Sequence, residues 1–73
     1  MTDMQDIYQA TIEVGIEEAY LMAEEWVAAG AYSATLSPEK KGQMLEIVIT
    51  AGSPLWFLDH GISAIPTRVE PSR

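Results

Sequence analysis

Asp6-Ile7-Tyr8-Gln9-Ala10-Thr11-Ile12-Glu13-Val14-Gly15 is the stretch on which the fold turns. Two periodicities fit it. As a strand over 6–14, it sets Tyr8, Ala10, Ile12 and Val14 on one face. Ile7, Gln9, Thr11 and Glu13 then form a second, mostly polar face. As a helix it would join the residues beyond Gly15 into one long element, with Tyr8, Ile12, Ala19, Ala23 and Trp26 sharing a side.

Length favours the strand. A helix from 3 to 29 would run about 40 Å at 1.5 Å per residue. A compact chain of this size is only about 30 Å across. The long helix would also hold Gly15 in its interior, at about 1 kcal/mol relative to alanine. A break at Gly15 removes both difficulties, so a strand over 6–14 and a helix over 16–29 is the preferred reading.

Moving outward, 16–29 is rich in Ala, Leu, Met and Glu, all good helix formers. Glu17 and Glu18 lie in its first turn, where the helix dipole favours anions. Gly30 follows as a stop. Ile16, Ala19, Tyr20, Ala23, Trp26 and Val27 make the apolar stripe. Residues 31–36 and 43–50 then read as a hairpin, because Leu45-Glu46-Ile47-Val48-Ile49-Thr50 is dominated by β-branched residues. The polar piece between them, 37–42, serves as its loop. The same piece also resembles a helix start, with Ser37 as N-cap and Pro38 in the first turn. Ser53 to Gly61 has the marks of a short helical turn over 54–60, capped by Ser53 and stopped by Gly61. Ile62 to Ile65 would be a last short strand.

The expected fold is therefore α+β. One main helix, 16–29, packs on an antiparallel sheet of 6–14, 31–36 and 43–50, with a helical turn at 54–60. The alternative is all-α, with helices over 3–29 and 38–51. Residues 1–66 make one domain, and 67–73 read as a frayed tail.

Composition narrows the function. The chain has 73 residues, 48% of them hydrophobic, and no cysteine. Disulfides and thiol chemistry are thereby excluded. The start is polar and acidic rather than a basic region followed by an apolar run, and no apolar stretch approaches the ~20 residues that cross a bilayer. A soluble, cytoplasmic protein is expected.

The formal charge is −7 and is unevenly placed. Asp3, Asp6, Glu13, Glu17, Glu18, Glu24 and Glu25 fall within residues 1–36, which hold no Lys or Arg. In the remainder, Glu39, Glu46, Asp59 and Glu70 balance Lys40, Lys41, Arg68 and Arg73. Direct nucleic-acid contact and anionic membranes need a basic surface and are not expected. A protein with a basic surface would be attracted.

The helix gathers this charge. Glu17 and Glu24 are seven residues apart and point the same way; Glu18 and Glu25 form a second row about 100° round. Surface helices usually intersperse signs, gaining a few tenths of a kcal/mol per i,i+4 pair, and this one does not. The bland interpretation is a solvated face. The functional one is a docking face made of Glu13, Glu17, Glu18, Glu24 and Glu25. Leu55-Trp56-Phe57-Leu58 is the second candidate surface. Four large apolar residues in one turn cannot all face one core, so Trp56 and Phe57 are candidate apolar anchors. A plug for the open end of the core is the competing explanation.

Catalysis is not expected. The chain has no nucleotide-binding, zinc-protease or EF-hand motif. Asp59 and His60 are sequence neighbours pointing about 100° apart, so the one does not orient the other. No cofactor and no metal site are anticipated.

A protein-binding module is the expected function. Its size and charge are those of small acidic phage inhibitors of host polymerases or defence complexes, an analogy without a motif. An oligomeric accessory protein is the alternative. In the long-helix arrangement, Ile7, Val14, Leu21 and Ala28 would make a seven-residue stripe able to pair two chains as a homodimer.

Overall fold

The computed structural model describes residues 6–69, Lys40 by its backbone only. The elements in order are β1 (Ile7–Gly15), α1 (Ile16–Ala28), β2 (Ser33–Lys41), β3 (Met44–Ala51), α2 (Pro54–Asp59) and β4 (Thr67–Val69). The four strands form one sheet in the order β2-β3-β1-β4, with every neighbouring pair antiparallel. The fold is α+β, and the all-α alternative does not hold. Two antiparallel steps separate β1 from β2, so these two strands run parallel and α1 is the crossover between them.

β1 realises the strand alternation. Tyr8, Ala10, Ile12 and Val14 oppose Ala51, Ile49, Ile47 and Leu45 of β3. These pairs share the face on which α1 lies. Ala19, Ala23 and Trp26 are the buried side of α1, at i, i+4 and i+7. The two alanines let the helix backbone approach the sheet closely, and Ile47 and Ile49 beneath are fully enclosed. Gln9, Thr11 and Glu13 look out from the other, open face. Gly15 is the N-cap of α1 in extended conformation, so strand passes to helix with no loop. The first helical N–H, of Ile16, donates to the Gln43 carbonyl in the hairpin turn at 3.0 Å.

Both helices end in the same way. After α1, Gly30 N–H donates to Val27 O and Ala31 N–H to Trp26 O, with Gly30 at φ 122°. After α2, Gly61 N–H donates to Leu58 O and Ile62 N–H to Phe57 O, with Gly61 at φ 75°. These are Schellman caps, which place a glycine just past the helix end. Ser53 Oγ accepts the Leu55 N–H at the start of α2, and Pro54 stands in its first turn.

Three details depart from the sequence expectation. First, the polar piece 37–42 is not a loop. β2 continues through it to Lys41, and only Gly42-Gln43 turn the chain. Between the pairs Leu36↔Ile47 and Lys40↔Leu45, β2 carries two more residues than β3, and the excess bulges out at Ser37-Pro38-Glu39. The bulge is tolerated because β2 is an edge strand, where the missing N–H of Pro38 costs no ladder bond. Ser37 Oγ accepts the Glu39 N–H inside it. Second, 62–65 is not a strand. Third, Thr67–Val69, expected within a tail, pairs with Ile7–Gln9 as β4. Arg68 fixes that edge through a 2.9 Å contact with Asp6. Residues 70–73 lie outside the described residues.

The seven-residue stripe of the oligomer alternative is also lost. Ile7 and Val14 belong to opposite faces of β1, not to a helix shared with Leu21 and Ala28. Among the described residues, no helix is long and apolar enough to cross a membrane.

Candidate protein-docking site

The four glutamates of α1 are all exposed. Measured round the helix from the buried side, Glu17 and Glu24 lie on the flank towards β2. Glu18 and Glu25 lie on the opposite flank, with Leu21 and Ala28 on the ridge between. None of the four has an ion-pair partner among the described residues, and the last turn holds no base. The acids of the sheet differ. Glu13 and Glu46 stand directly opposite each other on β1 and β3. Like charges so placed repel. Lys41 reaches over both, at 3.8 and 3.5 Å. Glu13 therefore belongs to the open face of the sheet and is not continuous with the helix carboxylates.

Trp56 and Phe57 are placed differently from the expectation of a surface anchor. Phe57 is completely buried, 0% exposed, and closes the end of the core beside β3. It has no surface to offer a partner, because the residue at this point of α2 faces inward. Trp56 is half-buried. Its indole N–H donates to the Ala29 carbonyl at 3.2 Å, tying α2 to the end of α1. Its ring meets Phe57 edge-on at 5.4 Å and stacks on the His60 imidazole at 4.2 Å. The residues of this turn that do reach solvent are Leu55, 64% exposed, and Leu58, 69% exposed.

His60 is held by its own helix. Nδ1 lies 2.8 Å from the Trp56 carbonyl, to which it donates, leaving Nε2 directed away from that bond. Asp59 does not take part in this contact.

One surface was not anticipated. Tyr20, Ala23, Glu24, Val27 and Ala28 of α1 face Ala34 and Leu36 of β2 across a groove of about 460 Å³. Tyr20 is 68% exposed although it belongs to the apolar stripe, and Val27 is exposed beside it. The reason lies in the strand order. Both residues overhang the edge of the sheet, where no further strand among the described residues covers them. A signal was present in the stripe, which is wider than the contact a single narrow sheet can cover. Strand order, which decides the matter, has no local signature.

No protein-family model, curated protein or solved structure matches the chain.

Proposed function

We propose that this protein is a non-enzymatic binding module that docks the acidic face of α1 on a basic surface of another protein. The observation that carries the reading is the unequal use of the bases. Lys41 is spent on Glu13 and Glu46 of the sheet and Arg68 on Asp6 just before β1, while Glu17, Glu18, Glu24 and Glu25 have no ion-pair partner among the described residues. Glu25 adds a second argument. A carboxylate in the last turn of a helix opposes the dipole, so charge at that position is not there for stability. Carboxylates on a rigid helix, in two rows either side of Leu21 and Ala28 and backed by a packed sheet, make a preorganised anionic face. Such a face steers a cationic partner and excludes anionic ones. Its charge and size suit an inhibitor or regulator acting on a nucleic-acid-handling protein, whose phosphate-binding surface it would occupy in place of nucleic acid.

Affinity capture from a lysate of the source cells tests this reading. The expected result is a retained protein with a strongly basic surface, released as the salt concentration is raised. Retention of no protein, or of one that salt does not release, contradicts it.

A further inference from the structure

We propose that the free edge of β2, with the groove beside α1, takes an extended segment of the partner as a fifth strand. That segment places two apolar side chains in the groove and a Lys or Arg beside Glu24. The proposal deepens the acidic-helix reading and rests on it only for the charge of the occupant.

Three observations converge on the same place. β2 is the end strand of the sheet, so its outer backbone edge has no strand neighbour among the described residues. Edge strands with unpaired N–H and C=O groups are templates for strand addition. The stretch Ser33–Leu36 is in regular register with Thr50–Ile47, and the bulge begins only after it. An added strand therefore has about four residues of straight edge before Pro38 and the bulge turn the chain away. On the groove side of that stretch stand Ala34 and Leu36, both half-buried, with Tyr20, Val27 and Ala28 opposite. Side chains of an added strand would alternate, every second one entering the groove about 7 Å from the last. Two apolar side chains would thus cover the surface that the missing fifth strand leaves open.

Charge selects the occupant. Glu24 lines the groove, and Glu17 continues its row about two turns towards the N-terminus of the helix. Lys41, the one base of β2 whose side chain is described, turns to Glu13 and Glu46 on the open face. A second copy of this chain fits poorly. Pairing β2 with β2 would set two α1 helices on the same side of a continuous sheet, each with four glutamates and no base. A partner strand flanked by Lys or Arg meets no such opposition.

The test is an amide chemical-shift titration of the whole isotope-labelled protein with the peptide Lys-Thr-Val-Thr-Val-Thr-Lys, up to millimolar concentration. Its two Val and two Lys side chains fall on one face of a strand. The counterpart Glu-Thr-Val-Thr-Val-Thr-Glu is the control. We expect the Lys-flanked peptide to shift Ser33, Ala34, Thr35 and Leu36 together with Tyr20 and Val27, and to bind at least tenfold more tightly than the control. Val27→Lys, at an exposed site, should lower that affinity about tenfold while the rest of the spectrum shows the fold intact. Shifts confined to Glu17, Glu18, Glu24 and Glu25 would overturn strand addition but leave the acidic-helix reading standing. No shift from either peptide would likewise overturn strand addition, and lysate capture would then judge the helix by itself. Equal binding of the two peptides would overturn the charge of the occupant. Shifts of β2 amides with protein concentration alone would make a second copy the occupant, against the proposal.

Discussion

α1 and α2 each carry residues whose sequence suggests contact with a partner, and the fold disposes of them in opposite ways. α1 keeps Glu17, Glu18, Glu24 and Glu25 exposed, with no ion-pair partner among the described residues, and overhangs the sheet edge with Tyr20 and Val27. α2 turns Phe57 into the core and commits the Trp56 indole to the Ala29 carbonyl. The difference follows from what each helix must do. α1 is long enough to cover the sheet with three residues, Ala19, Ala23 and Trp26, and has whole flanks left over. α2 has six residues and closes the end of the core, so its largest side chains are structural. A short helix in a small domain has few side chains to spare.

Substitutions sharpen this contrast, beginning with the largest effect. Phe57→Ala removes a fully buried ring and should cost about 3–5 kcal/mol. A domain of this size has only about 4–11 kcal/mol in total, so much of the chain should lose its native circular dichroism on mild warming. A Phe57→Ala protein that melts like the parent would place α2, not α1, at the surface available to a partner. Trp56→Phe keeps most of the packing and deletes the indole N–H. It should cost about 1 kcal/mol, seen as a melting temperature lower by several degrees.

Lys41→Ala exposes the facing pair Glu13 and Glu46. The loss should stay below about 1 kcal/mol and shrink in high salt, because Lys41 and Glu13 are exposed and Glu46 is partly so. Denaturant titrations at two salt concentrations measure it. Leu55→Ser with Leu58→Ser should change stability by no more than about 0.5 kcal/mol, since both side chains already meet solvent. Glu25→Lys should act in the opposite direction and stabilise by a few tenths of a kcal/mol, because a cation suits the helix C-terminus. A destabilised Glu25→Lys protein would mean that Glu25 has a structural partner.

Much of the architecture was legible in the chain. Gly15 marked the passage from strand to helix, Gly30 and Gly61 marked the two helix ends, and the alternation from Tyr8 to Val14 matched the buried face of β1. Each of these is a local rule with a short range. The departures arise where tertiary context decides. Pro38 looks like a turn residue until β2 is known to be an edge strand. Thr67–Val69 has no strand pattern of its own, and becomes one because β1 offers it an open edge. Glu13 shares the sign of the helix glutamates but is divided from them by the sheet, which alternation along β1 already implied. The groove of Tyr20, Val27, Ala34 and Leu36 depends on strand order, and neither segment announces it alone.

The central claim is that the carboxylates of α1, without ion-pair partners among the described residues, serve contact and not folding. The most direct measurement is made on Glu17→Lys with Glu24→Lys, comparing partner capture and unfolding midpoint with those of the parent in the same buffers. The account predicts an unchanged midpoint, within about 0.5 kcal/mol for two exposed sites, and capture weakened at least tenfold, more so at low salt. Capture equal to the parent's, with the fold intact, would contradict it.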